Sequence, residues 1–164
     1  MEVLVTRMER LAEVLRGKGW MLATAESCTG GLIAAACTEL AGSSDWFERG
    51  FVTYSNAAKI EALEVDAAAI EAHGAVSEVV ARAMAFGAVR HSHAQVGVAV
   101  TGIAGPGGGS KDKPVGTVWF GFMVDGRLTS EMRRFDGDRT AVREATVAHA
   151  MDGLLRRLSQ DEPA

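Results

Sequence analysis

This chain is short of aromatics and proline: across 164 residues there are three prolines, one tyrosine, three tryptophans and six phenylalanines, so aromatics reach only 6%. A core with so few large rings has to close through small residues, and 19 glycines together with abundant alanine favour close-packed helices and tight loops. Long apolar runs are missing as well, since none approaches the roughly 20 residues a membrane span requires. The start, Met1-Glu2-Val3-Leu4, lacks the basic region, apolar core and cleavage site of a leader. Cysteine is sparse: Cys28 and Cys37 form neither a CxxC pair nor a disulfide framework. These absences predict a cytoplasmic protein with reduced thiols and no membrane partner. Nor is there an excess of positive charge. Lys and Arg number 17 against 21 Asp and Glu, a net −4, which excludes backbone-phosphate binding to nucleic acid as the main task. With 48% hydrophobic residues, no repeat and no linker, residues 1–164 are expected to form a single domain with its own core.

Apolar residues at Leu4, Met8, Leu11 and Leu15 recur at helical spacing and stop before Gly17 and Gly19. The run Trp20–Ala25 reads as a strand that breaks at Glu26-Ser27-Cys28-Thr29-Gly30-Gly31, with a helix over Leu32–Leu40. A second strand is predicted over Gly50–Tyr54, followed by short helical pieces at Ala57–Leu63 and Ala67–Ala72 and a longer helix that Ser77 caps. Val96–Thr101 is apolar on both faces, as a central strand between helical layers should be. Val115–Val124 and Arg127–Phe135 flank Asp125-Gly126, a two-residue hairpin signal. Asp138 opens a last helix with the apolar stripe Val147, Met151, Leu154 and Leu158. The predicted architecture is a three-layer α/β/α sandwich on a mixed sheet of about five strands, one of them antiparallel.

Ligands of open α/β sheets bind beyond the carboxyl ends of the parallel strands, and three loops leave those ends. Glu26–Gly31 carries Ser27 and Thr29 before a helix, where Ser27 is either a nucleophile or a helix cap. Cys28 is a second nucleophile candidate or a small buried hydrophobe. Tyr54–Lys59 sets a phenol and an amine about one helical turn apart, and a desolvated lysine can act as a base for a serine. Gly42–Phe47 adds Ser43 and Ser44, hydroxyls equally suited to capping. Gly102–Gly109 resembles a phosphate cradle, although GxGxxG fails at Ser110 and no GK[ST] occurs. Backbone amides at Thr101 and Gly102 suit an oxyanion or a phosphate. His73, His91, His93 and His149 show no HExxH or Cys/His ligand spacing, so no metal is expected. With no histidine in the candidate loops, lysine is the available base for a serine.

Thr24–Gly31, Gly42–Phe47, Gly50–Lys59, Thr101–Gly109 with Lys113–Gly116, and Phe135–Arg143 together resemble the CinA carboxy-terminal domain family, in order and from the first helix to the last. The resemblance implies hydrolysis of nicotinamide mononucleotide to nicotinate mononucleotide and ammonia, a step in pyridine nucleotide recycling, on a five-stranded mixed sheet and commonly in a homodimer. It implies a serine–lysine pair, carried here onto Lys59 and either Ser27 or Ser44, with Tyr54 nearby; the helix-start position favours Ser27. A small-molecule pyridine mononucleotide is the expected partner. Its binding residues are expected among Thr29, Gly30, Gly31, Thr101, Gly102, Gly105 and Gly107, with Arg139 or Arg143 on the phosphate. No cofactor is implied. Two rivals stay open: a non-catalytic nucleotide-binding module built on the same loops, and a cysteine amidase using Cys28.

Overall fold

The computed structural model describes residues 2–160. Five strands, β1 (Leu22–Glu26), β2 (Phe47–Val52), β3 (Val96–Gly102), β4 (Thr117–Val124) and β5 (Arg127–Arg134), form one sheet in the order β2-β1-β3-β4-β5. β1 runs parallel to both β2 and β3, while β4 is antiparallel to β3 and to β5. The one reversed strand is therefore β4, as the hairpin signal predicts. Asp125 and Gly126 make its turn with φ of 46° and 86°, the left-handed conformations a tight hairpin demands.

Six helices cover the sheet: α1 (Glu2–Lys18), α2 (Leu32–Thr38), α3 (Asn56–Leu63), α4 (Ala67–His73), α5 (Glu78–Arg90) and α6 (Arg139–Gln160). A strand alternates its side chains between faces, and here the two faces differ in bulk. Leu22, Val96, Val98, Val100, Val118, Phe120 and Phe122 pack against Leu11 and Leu15 of α1, Ile33 of α2 and Leu154 of α6. The opposite face offers Ala23, Ala25 and Ala99 to Leu63 of α3, Ile70 of α4 and Met84 of α5. Small residues let α5 lie very close: a Cβ added at Gly121 of β4 would stand 2.3 Å from the Ala81 carbonyl oxygen. Ala and Gly thus let the α5 layer settle closely on this face of the sheet. Among the described residues no helix is long and apolar enough to cross a membrane.

The structure moves several element boundaries, and two of the moves bear on the site. β1 extends to Glu26, and β2 begins at Phe47, ahead of the predicted Gly50. β2 lies at the sheet edge, where the charges Glu48 and Arg49 are tolerated because one side of the strand faces water. Those charges interrupt the apolar pattern that otherwise marks a strand. Upstream, Ser43–Asp45 form a single 3-10 turn leading into buried Trp46.

Gly121→Ala should destabilise the fold by roughly 1–3 kcal/mol, the usual range for overpacking a filled contact. Urea denaturation of the variant checks this; an unchanged midpoint would mean that α5 does not rest on β4 as closely as described.

Candidate active site

β1, β2 and β3 are parallel, so their carboxyl ends, at Glu26, Val52 and Gly102, open on the same edge of the sheet. The chain leaving β1 turns through Ser27–Gly31 into α2. Gly30 and Gly31 hold φ of 60° and 108°, a conformation that side chains disfavour and glycine does not. The Gly30 amide donates to the Ser27 carbonyl and the Leu32 amide to the Thr29 carbonyl, both at 3.1 Å, which closes the turn beneath the serine. Beyond β2, Ser55 caps α3 by accepting from the Ala58 amide at 3.0 Å, and Lys59 follows one turn later.

Lys59 is 1% exposed, and its amine meets three oxygens. Nζ lies 3.0 Å from Ser27 Oγ, 2.9 Å from the Thr53 carbonyl and 3.2 Å from the Tyr54 carbonyl. A neutral amine has two N–H donors and one lone pair. In that neutral form, bonds to the two carbonyls use both donors and leave the lone pair for the serine hydroxyl. Burial pushes Lys59 below its ordinary value, and the nearby Cys28 opposes this more weakly.

The cleft above this pair has a volume of about 240 Å³ and is lined by Ser27, Cys28, Tyr54, Asn56, Lys59, Ala75, Val76, Thr101, Gly102, Ala104 and Arg139. The candidates from the sequence sort themselves here. Tyr54 is 64% exposed at the rim and reaches Lys59 through its carbonyl. Thr101 donates its hydroxyl to the Ala75 carbonyl at 2.9 Å, fixing the wall between α4 and α5. Arg139 lines the cleft and donates to the Gly105 carbonyl at 2.9 Å. A second cleft of about 500 Å³, over Pro106, Val115 and the start of α6, shares Ala104 and Arg139 with the first. A larger cavity between β5, α1 and α6 lies among Arg10, Arg133 and Arg156 and includes none of these residues.

Other candidates are not brought to the cleft. Ser44 sits exposed in the 3-10 turn before β2, at the amino end of a strand whose carboxyl end leads to Lys59. Six residues of strand put roughly 20 Å between those ends, so the structure separates Ser44 from the lysine. Thr29 is fully buried and donates its hydroxyl to Glu26, facing away from the opening. Arg143 is occupied with the Cys28 and Thr29 carbonyls at 3.1 Å each, behind the turn, and lines neither cleft. Gly107 is exposed and is not among the lining residues. The amides at the start of α2 are taken as well, because those of Ile33 and Ala34 donate to the Glu26 carboxylate at 2.8 and 3.0 Å.

Sequence reasoning missed Ala75, Val76 and the two carbonyls on Lys59. Backbone groups and small apolar residues carry no chemical signature in a sequence. Asn56 was within reach, being the residue one turn before Lys59 on the same helix. Among the described residues no group of three His, Cys, Asp or Glu side chains could share a metal ion.

The family model of the CinA C-terminal domain matches residues 5–158. The nicotinamide-nucleotide amidohydrolase PncC of Enterobacter agglomerans is 54% identical over 147 residues, 89% of this chain and 90% of that protein. The nicotinamide-nucleotide amidohydrolase PncC of Escherichia coli K12 is 47% identical over 154 residues, 93% of each. Among solved structures, the competence/damage inducible protein CihA from Agrobacterium tumefaciens superposes with a TM-score of 0.91 at 46% identity, covering 96% of each chain.

Cys28 lies beside the serine, but burial pushes its thiol up to about 11. At pH 8 roughly one thiol in a thousand is then thiolate, the reactive form. Iodoacetamide should therefore alkylate Cys28 in the folded protein roughly 100-fold more slowly than in the urea-unfolded chain, accelerating as the pH rises toward 11. Equal rates in the two states would reinstate Cys28 as a reactive group.

Proposed function

The chain belongs to the CinA C-terminal domain family, and from that premise and the geometry of the cleft we propose that it hydrolyses the carboxamide of nicotinamide mononucleotide, with Ser27 as nucleophile and Lys59 as general base. The observation that carries this reading is the 3.0 Å contact between a buried amine and a serine hydroxyl at the floor of a cleft.

Neutral Lys59 takes the Ser27 proton as Oγ forms its bond to the amide carbon, and the carbonyl π electrons move onto oxygen. The oxyanion needs a fixed donor, and the amide of Gly102 is suited to it. In the ladder with β4, Ile103 donates to the Thr117 carbonyl at 2.9 Å, so by alternation Gly102 directs its amide back toward the end of β1. Collapse of the tetrahedral species breaks the C–N bond as protonated Lys59 returns the proton to nitrogen, and ammonia leaves. Water then attacks the acyl-serine with Lys59 again as base, releasing nicotinate mononucleotide and restoring Ser27. The amide occupies the small chamber, and the 5′-phosphate extends toward Arg139, where the second cleft begins. Such a reaction belongs to pyridine nucleotide recycling. A purely binding module would have no use for a lysine buried at an energetic cost and aimed at a hydroxyl, which favours catalysis over the alternative.

Lys59→Met should lower kcat by roughly 10²–10⁴-fold while leaving the fold intact, and Ser27→Ala should be at least as damaging. Ser44→Ala should turn over at close to the wild-type rate. Since the base must be neutral, activity rises with pH through the Lys59 value, and burial puts that ascending limb below the ordinary lysine value of about 10.4. Ammonia release measured against pH reads all of this, and a Lys59→Met protein with wild-type turnover would remove lysine from the mechanism.

If Arg139 holds the phosphate, kcat/KM should fall from mononucleotide to riboside to free nicotinamide. Arg139→Ala should erase most of the difference between the first two. Equal values for all three substrates in the wild type would sink the phosphate assignment.

A further inference from the structure

The proposed chemistry leaves one buried carboxylate without a task. Glu26 ends β1, is fully buried, and precedes the nucleophile directly. Its Oε1 accepts from the Thr29 hydroxyl and from the Ile33 amide at 2.8 Å, and its Oε2 accepts from the Ala34 amide at 3.0 Å. Burying a carboxylate is costly unless it is fully bonded, and a neutral Ser or Asn at the cap position would end a seven-residue helix at less expense. Here the cap position is Gly31, with no side-chain cap at all. The task has passed to the residue covalently joined to Ser27.

Alternation along a strand separates the two neighbours. Glu26 points into the α2 layer, whereas Ser27 points to the α3 layer and Lys59. The far side of the same turn is gripped by Arg143 of α6, whose Nε donates to the Cys28 carbonyl and whose Nη2 donates to the Thr29 carbonyl, both at 3.1 Å. A Cβ at Gly30 would lie 3.4 Å from that Nη2, so the guanidinium rests directly on the turn. The Cys28–Thr29 and Thr29–Gly30 peptide units are thus held by Arg143, and the Leu32 amide by the turn's own closure, while Glu26 holds the Thr29 hydroxyl and the first amides of α2.

We propose that Glu26 and Arg143 form a two-sided clamp that holds Ser27 Oγ in line with Lys59 Nζ. Both are positioning residues: they act through the turn and touch neither the substrate nor the reacting atoms. The inference rests on the serine–lysine reading, so its test needs a readout that does not depend on the identity of the substrate. Labelling of Ser27 by an alkyl fluorophosphonate, followed by mass spectrometry, reports nucleophile alignment for any serine hydrolase.

The experiment measures that labelling rate, kcat and KM for ammonia release from nicotinamide mononucleotide, and thermal unfolding, for the wild type, Glu26→Gln and Arg143→Lys. Gln cannot accept at both carboxylate positions, and a Lys amine lacks the planar fork whose separate Nε and Nη2 donors make the two bonds of Arg143. Both variants should lose roughly 10- to 100-fold in kcat and in labelling rate together, with KM little changed, as expected of misplacing a nucleophile by about an ångström. The ascending limb of the pH profile should stay where it is, since Lys59 keeps its surroundings. If Glu26→Gln fails to fold, Arg143→Lys carries the test, and Thr29→Ser recovering the labelling rate that Thr29→Val loses checks the Glu26 side. Folded variants that label at the wild-type rate overturn the clamp. So does a loss confined to KM, which would put Arg143 on the substrate. A wild type that labels at Ser27 yet releases no ammonia overturns the substrate reading alone, leaving the clamp to be judged by labelling. A wild type that resists the probe overturns the serine assignment and the clamp with it.

Discussion

A strand buried on both faces must give alternate residues to opposite layers, and at the end of β1 that geometric rule decides where everything else goes. Ser27 falls on the side of α3 and meets Lys59, while Glu26 falls on the side of α2 and meets its amides. A one-residue change of register would exchange the two, setting a carboxylate against the lysine and a hydroxyl at the helix start. The register is held by the parallel pairing of Leu22–Glu26 with Val96–Val100 on one side and with β2 on the other. Large residues face α1 and α6, and small ones face α5, so neither layer accepts the other's set.

The buried lysine is the least favourable element of the fold and the most useful one. Desolvation disfavours its charged form, so between its folded and unfolded values the unfolded chain binds more protons. Stability therefore rises with pH across that window, and below it the full cost of burying the amine is carried. Two backbone carbonyls reduce the cost by accepting from the amine, and in the proposed reaction the same two bonds orient the lone pair of the neutral amine toward Ser27. Placement and activation are thus one feature of the geometry. The neighbouring thiol is pushed the other way by the same desolvation, which keeps the cysteine protonated near neutrality.

The two arginines of α6 show how little the charge alone says about a side chain's task. Arg139 and Arg143 lie four residues apart on one helix face. The first stands at the junction of two clefts, and the second is committed to two carbonyls behind the turn. Arg143 has Nε and Nη2 committed to backbone oxygen behind the turn and lines neither cleft, so of the two arginines Arg139 is the one that faces them. The first turn of α6 meets the glycine loop through Arg139, and its second meets the turn after β1 through Arg143.

Much of this protein was legible in its sequence. Apolar periodicity located the helices, the doubly apolar run at Val96–Thr101 marked a central strand, and Asp125-Gly126 announced the reversed strand. Each of these is a local signal, set by residues within a few positions of one another. The candidate site was legible as three loops rich in hydroxyls and glycines, with the resemblance pointing to Lys59 and to either Ser27 or Ser44, and only the helix-start position favouring Ser27. What separated them was the parallel pairing of β1 with β2, which sends Ser27 and Lys59 to one end of the sheet and leaves Ser44 at the other. Backbone carbonyls, the occupancy of Arg143 and the burial of Glu26 were equally out of reach. A sequence names side chains in order, but which oxygen an amine meets depends on strands and helices far apart in the chain packing at ångström distances, and only the tertiary structure decides that.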